Sequence, residues 1–180
     1  MILSTGTWVP GAPSEGMPTM YLRFWGVRGS TPTPQRSNLR YGGNTSCVEL
    51  RADGEIIVLD AGTGIRSLGI QLANEFTNEV LQLSLLLTHT HWDHIQGFPF
   101  FAPAYNPRNI IRVLAYEGAR RGLEATLSSQ METPYFPITM QQMPGNILIQ
   151  ELKSLSFKIG KVRVEAAFMN HPGVCVGYRL

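Results

Sequence analysis

The hydrophobic and polar positions along this chain fall mostly into short alternating runs, which are typical of β-strands. The pair Asp53-Gly54 between two such runs predicts a hairpin, and the continuous apolar run Leu81–Leu87 predicts a buried strand. In chain order, the predicted strands cover 20–26, 46–52, 55–60, 81–87, 109–115, 147–151, 155–159 and 162–169. Strands therefore dominate the predicted fold.

Helical periodicity is confined to two segments. The apolar residues Ile65, Leu68, Leu72 and Phe76 are spaced three or four apart and follow a glycine-containing segment, which predicts an amphipathic helix. A second helix is predicted at about 119–129, and no internal repeat is visible. Helices placed between strands predict the α/β (α+β) class.

The first 19 residues show neither period and are interrupted repeatedly by proline and glycine between Pro10 and Pro18. We predict a disordered N-terminal extension over 1–19 and one globular domain over 20–180. Because Met20 opens the first predicted strand, it is also a candidate for the natural start of the protein.

Composition narrows the possible functions. The formal net charge of +2 is too balanced to indicate nucleic-acid binding by bulk electrostatics, so any preference for anions must be local. Cys47 and Cys175 are far apart and predict free thiols in a reducing compartment. No signal peptide is visible and no apolar run reaches the roughly 18–20 residues of a membrane span. The sequence thus predicts a cytoplasmic protein that is not bound to a membrane.

Three of the four histidines lie within the six residues from 89 to 94. In an extended segment, residues two apart project to the same side, so His89 and His91 can bind one ion. Asp93 and His94 follow the bend that ends this extended segment, and they can bind an ion at a second position nearby. Imidazole and carboxylate ligands suit Zn²⁺, and also Mn²⁺ or Fe²⁺. The segment therefore predicts a metal site.

Several motifs resemble one family. THTHWDH, with LDAGTG before it and Asn170-His171-Pro172 after a strand, is similar to the metallo-β-lactamase superfamily of metallohydrolases. FWGVRGSTPTP, YGGNTSC and LDAGTGIRSLG resemble its phosphodiesterase-like branch, which includes ribonuclease Z and a cyclic-phosphate phosphodiesterase. The resemblance extends from about Met20 to Leu180.

This resemblance implies a four-layer αββα sandwich and a role for each matching residue. His89, His91 and His171 match the three-histidine ligands of one metal, and Asp93 and His94 match ligands of a second metal. Asp60 matches an aspartate that steadies the histidine-bearing loop, and we assign Asp60 and Asp93 to the catalytic machinery. The implied function is hydrolysis of phosphodiester bonds by a zinc-bound hydroxide, with one or two ions and a small-molecule or nucleotide-like anionic substrate.

Local charge supports an anionic substrate, since residues 20–48 contain four arginines and no acidic residue. We predict that Arg28 and Ser30 bind the substrate. Gly29 lies between them and has no side chain, so the backbone of this loop can approach the substrate closely. Trp92 and the run Phe98–Phe101 are predicted to pack around the site rather than contact the substrate.

The chain departs from the family pattern in one respect. The family normally adds an aspartate that bridges both metals and a last histidine, but the only aspartates here are Asp53, Asp60 and Asp93, and no histidine follows His171. We therefore expect tight binding of at most one ion and a sandwich that is truncated on its C-terminal side, as in a fragment of a longer protein.

Two other functions remain open at this point. The same site could hydrolyse a lactone, a thioester or a β-lactam, or the chain could be a non-catalytic metal-binding fragment. Nucleic-acid substrates and oligomerisation are compatible with the sequence but are not indicated by it.

Overall fold

The computed structural model describes residues 20–38, 40–116 and 122–180. The strands are β1 Tyr21–Gly26, β2 Cys47–Ala52, β3 Glu55–Leu59, β4 Gln82–Leu87, β5 Ile110–Ala115, β6 Asn146–Glu151, β7 Ser156–Ile159, β8 Val162–Phe168 and β9 Val176–Arg179. The α-helices are α1 Gly64–Glu75, α2 Trp92–Ile95 and α3 Leu123–Ser129, and 3₁₀ turns cover Arg36–Asn38, Phe98–Phe100, Ala102–Tyr105 and Met140–Gln142.

The first six strands form one sheet in the order β1-β2-β3-β4-β5-β6. The strands β1, β2 and β3 are antiparallel neighbours, whereas β3 to β6 run parallel. Central strand β4 is buried on both faces because all of its residues after Gln82 are apolar or small. Since the parallel strands end at the same edge, the loops after β3 and β4 lie side by side.

The helices cover one face of this sheet. Residues Ile65, Leu68 and Leu72 on α1 are fully buried, as the three- and four-residue spacing predicts. They pack in a cluster with the aromatic side chains of Phe98 and Phe101, which are also fully buried. None of the helices in the described residues is long and apolar enough to cross a membrane.

The other face of the six-stranded sheet is covered by a second sheet, β7-β8-β9, whose strands are all antiparallel. Alternate residues Val162 and Val164 on β8 point inward and pack with Leu50, Leu86 and Leu114 of the large sheet. The second sheet covers the middle of that face only: Leu22 on β1 is 50% exposed and Leu148 on β6 is 49% exposed.

The described residues thus form three layers, helix on sheet on sheet, which agrees with a sandwich of the αββα type that lacks its last layer here. The eight predicted strands and the first helix are confirmed, and β9 is an additional strand that the pattern did not predict. The second helix covers Leu123–Ser129, and the beginning of the predicted segment lies outside the described residues. The predicted extension over 1–19 also lies outside them, so it stays a prediction.

Candidate metal centre

The carboxyl ends of β3 and β4 bring the predicted site residues together. Asp60 directly follows β3, and the segment from Thr88 to Asp93 follows β4 into the short helix α2. The two segments are joined by the backbone N–H of Asp60, which donates to the carbonyl oxygen of Leu86 at 2.9 Å. This junction explains why residues almost 30 positions apart in sequence share one site.

The carboxylate of Asp60 is buried and accepts several hydrogen bonds. Its donors are the backbone N–H of Thr88 at 2.8 Å, the Thr88 hydroxyl at 3.0 Å and the Ser46 hydroxyl at 3.0 Å. It also lies 2.7 Å from Nδ1 of His94. Asp60 has a left-handed backbone, with a φ of 63°, which Asp and Asn tolerate better than most residues. The carboxylate therefore ties the ends of β2, β4 and α2 to one point.

Three imidazoles converge beside this carboxylate. The ligand atoms of His89, His91 and His171 lie within 4.8 Å of one another, with His89 buried and the other two exposed. Nε2 of His171 and Nδ1 of His91 are 3.1 Å apart. Two nitrogens bound to a tetrahedral zinc ion at about 2.0–2.1 Å would be about 3.3 Å apart. The residues present therefore fit one divalent ion.

Burial also prepares His89 for metal binding. Loss of solvent, helped by repulsion from the neighbouring His94, lowers the pKa of His89 to about 4. The imidazole is consequently neutral at pH 7, and a neutral ring nitrogen is the form that binds metal.

A second position lies next to the three-histidine position. The rings of His89 and His94 are 4.0 Å apart. Nε2 of His94 lies 3.4 Å from Oδ2 of Asp93, so these two atoms face one small volume. Burial acts to lower the pKa of His94, but the hydrogen bond to Asp60 and the charges of Asp60 and Asp93 outweigh it and raise the pKa. Asp60 thus holds a proton on Nδ1 and leaves Nε2 to face Asp93.

His171 reaches the site through β9. It lies in the loop between β8 and β9, which is closed by a hydrogen bond from Met169 N–H to the carbonyl oxygen of Cys175. The N–H of Val176 then donates to the carbonyl oxygen of Thr88 at 2.9 Å, and the Tyr178 hydroxyl donates to that of Leu87 at 2.8 Å. These contacts fix the second sheet to the end of β4, where the other histidines begin.

The loop after β3 and helix α2 lie backbone to backbone. Ala61 N–H donates to the carbonyl oxygen of His94 at 2.7 Å, and Gly97 N–H donates to that of Ala61 at 2.9 Å. A Cβ at Gly97 would collide with the carbonyl oxygen of Gly62, and one at Gly62 with that of Asp93. Glycine is therefore required at both positions for this close approach.

The two residues predicted to bind the substrate, Ser30 and Arg28, differ in their contacts with the site. Ser30 lies at the site, where its backbone N–H donates to Oδ2 of Asp93 at 2.7 Å, and its φ is 68°. Ser30 thereby orients a predicted ligand. Arg28 is exposed, and its backbone pairs with Thr45. Nearby Arg23 bonds to Gln71 and lies over the ring of Trp25, so it has a structural role.

The prediction that aromatic residues pack around the site is only partly right. Phe98 and Phe101 are fully buried, but Trp92 is 69% exposed and Phe100 is 56% exposed. The prediction was wrong for Trp92 because this residue lies in the first turn of α2, on its solvent side.

Sequence reasoning missed two residues of the site. The Thr88 hydroxyl bonds to Asp60 and lies 2.9 Å from Nδ1 of His89, and its position at the strand end before the first histidine could have revealed it. Sγ of Cys175 lies 3.7 Å from the same nitrogen, and nothing in the sequence pattern indicated this. Both cysteines are free, as predicted.

The sequence of this chain matches a known protein family. A family model described as the Metallo-beta-lactamase superfamily matches residues 40–179, which include all five predicted metal ligands. The chain belongs to this superfamily. Its β-sheets and α1 are therefore parts of a metallo-β-lactamase fold.

Curated relatives of this metallo-β-lactamase-fold chain are ribonuclease Z proteins. That of Haloarcula marismortui is 25% identical over 165 residues, covering 90% of this chain and 47% of its own length. That of Clostridium novyi is 26% identical and is covered over 48% of its length. The chain thus spans about half the length of the curated relatives it matches.

Solved structures support the fold. A diphosphatase of the PhnP family superposes with a TM-score of 0.66 at 15% identity, covering 89% of this chain and 62% of the other. The metallo-β-lactamase fold protein YhfI from Bacillus subtilis gives a TM-score of 0.60 at 13% identity, covering 89% of this chain and 57% of the other. In both cases, part of the neighbour has no counterpart in this chain.

Proposed function

We propose that this chain carries the histidine-bearing part of a metal-dependent hydrolase of phosphodiester bonds. The observation that carries the proposal is the convergence of His89, His91 and His171 beside an Asp60-bound His94. The names of the relatives support the bond type, since both ribonuclease Z and the PhnP-family diphosphatase act on phosphate esters or anhydrides.

In this proposal, His89, His91 and His171 hold one ion, and Asp93 and His94 face a second. Zn²⁺ suits the donor set best, and Mn²⁺ or Fe²⁺ are compatible with it. A bound divalent ion would supply a water of lowered pKa and Lewis-acid attraction for the phosphoryl oxygens. Asp60 keeps His94 oriented, and Asp93 is held by the N–H of Ser30.

The proposed substrate is an anion that is small or nucleotide-like. Arg28 is exposed two residues before Ser30, which places a guanidinium on the loop that contacts Asp93. Guanidinium groups bind phosphate oxygens through paired hydrogen bonds, so Arg28 is the proposed phosphate contact. The two free thiols favour a reducing compartment, such as the cytoplasm.

Hydrolysis by the purified chain, stripped of metal and reloaded with Zn²⁺, Mn²⁺ or Fe²⁺, tests the proposal. We expect cleavage of bis(p-nitrophenyl) phosphate that depends on metal and is lost in His91→Ala. Nitrocefin and a simple lactone serve as parallel substrates. Cleavage of either of these without cleavage of the phosphodiester would contradict the proposal and favour the alternative hydrolase function.

Metal binding without hydrolysis is a second candidate. It is favoured by the composition of the second position, where the described residues place the side chains of Asp93 and His94. These are two ligands, one fewer than the three histidines of the first position. Binding of one ion with no cleavage of any of the three substrates would select this candidate.

A further inference from the structure

A cavity of about 460 Å³ lies against the histidine-bearing segment, on the side of α3. Thr90 and Trp92 line it from one side, and Thr126, Ser129 and Gln130 line it from α3 and its C-terminal end. Ile95 and Tyr135 complete the wall. The volume of the cavity falls within the range of about 300–1,000 Å³ that is usual for small-molecule sites.

Two aromatic rings at this cavity are left open to solvent. Trp92 is 69% exposed and Tyr135 is 84% exposed, although both line the cavity. Exposed aromatic rings in a cavity provide flat apolar surfaces on which another ring can stack.

The polar groups of the cavity wall offer hydrogen-bond acceptors. The hydroxyls of Thr126 and Ser129 donate to the carbonyl oxygens of Gly122 and Thr126, so their lone pairs remain free to accept. A flat group with hydrogen-bond donors on its edge matches this wall.

We propose that this cavity binds a nucleobase of the substrate, with Trp92 as the stacking platform and the hydroxyl oxygens of Thr126 and Ser129 as acceptors for the base edge. The proposal rests on the proposed phosphodiesterase function for the position of the phosphate. Trp92 lies between His91 and Asp93, and consecutive Cα atoms are about 3.8 Å apart. The cavity wall and the metal ligands thus share one short segment of the chain, from His89 to His94.

Two phosphodiesters with the same leaving group test this assignment. Thymidine 5′-(p-nitrophenyl phosphate) carries a base, and methyl p-nitrophenyl phosphate does not. We expect kcat/KM for the thymidine ester to exceed that for the methyl ester by about five- to hundredfold, the range given by stacking on an aromatic side chain. Equal values for the two esters would overturn the proposal.

Variants then locate the preference. Trp92→Ala, Tyr135→Ala and Ser129→Ala should each reduce the ratio of the two kcat/KM values toward one. The matched controls are Phe24→Ala, at a ring 65% exposed on β1, and Ser154→Ala, at an exposed serine whose hydroxyl also donates to a backbone carbonyl. Both controls should keep the full ratio. An unchanged ratio in Trp92→Ala would overturn the proposal.

A binding experiment separates this inference from the proposed function. AMP should quench the fluorescence of the metal-loaded protein, and Trp92→Phe should lose the quenching. Ribose 5-phosphate, which has no base, should bind at least five times more weakly by calorimetry. If neither ester is cleaved but AMP still quenches Trp92, the hydrolase function fails and the subsite stands. If phenyl phosphate binds as tightly as AMP, the nucleobase assignment fails.

Discussion

The two candidate metal positions are neighbours, since the ring centroids of His89 and His94 are 4.0 Å apart, yet the positions differ in how they are built. The three-histidine position collects side chains from two parts of the chain, one after β4 and one between β8 and β9. The second position has Asp93 and His94, both from α2. Three converging imidazoles resist the loss of any one bond, whereas two neighbouring side chains hold an ion weakly.

The supporting hydrogen bonds are distributed in the opposite way. Asp60 and Ser30 both act on the second position, through His94 and Asp93 respectively. His89, by contrast, is supported by the Thr88 hydroxyl and by burial. Metal binding at the three-histidine position therefore depends mainly on the ligands themselves. Metal binding at the second position depends also on the residues that orient its ligands.

The largest expected effect is at the three-histidine position. His89→Ala removes the buried ligand, and we expect the affinity for the first Zn²⁺ to fall by more than about 100-fold, beyond the loss caused by changing an orienting residue. Competition with a chromophoric chelator measures this affinity. Asn170→Ala, an exposed neighbour of His171, is the control. If His89→Ala retained the wild-type affinity, the three-histidine assignment would be wrong.

A smaller effect is expected for Asp60→Asn. The amide keeps the shape and tolerates the left-handed backbone but loses the charge that holds the proton on His94. Metal affinity at the second position should fall by about 10- to 100-fold. Asp53→Asn is the matched control, because Asp53 also has a positive φ, of 51°, but is exposed in the β2–β3 turn. Equal effects of the two variants would show that the backbone, and not the charge, matters.

Asp93→Asn should separate the two positions. Binding of a weak second ion should be lost, while affinity for the first ion changes by less than about tenfold, since three histidines remain. Isothermal titration of the metal-free protein reports both steps. Two ions held with equal, high affinity by the unchanged chain would show that the two positions do not differ in affinity.

The smallest expected effect concerns the backbone. Because Ala61, His94 and Gly97 are joined by backbone hydrogen bonds that use none of the metal-ligand atoms, loading Zn²⁺ should leave the far-ultraviolet circular dichroism spectrum unchanged. A large gain of signal on metal addition would instead indicate a site that forms only with the ion.

Much of the fold could be predicted because its strands follow simple patterns. Alternation in 162–169 and the apolar run Leu81–Leu87 gave two strands directly. Strand β9 was missed because its segment, Val176–Arg179, is only four residues long and includes a glycine. Such short runs carry too little periodicity to separate a strand from a loop.

The site could be predicted where its residues lie close together in the sequence. Three histidines within six residues indicate a metal by themselves, and the family resemblance added His171 and Asp60. The contacts of Thr88 and Cys175 with His89 depend on how β4 and β9 meet, so no sequence pattern reports them. The exposure of Trp92 likewise depends on the direction of α2.

The distance along the chain between the ligands has a consequence for folding. His91 and His171 are 80 residues apart and meet only after β4 has paired with β3 and β5 and after β9 has joined the end of β4. Such non-local pairings form slowly. We therefore expect the three-histidine position to be completed late, so that Zn²⁺ slows unfolding of the finished protein and leaves the rate of folding almost unchanged.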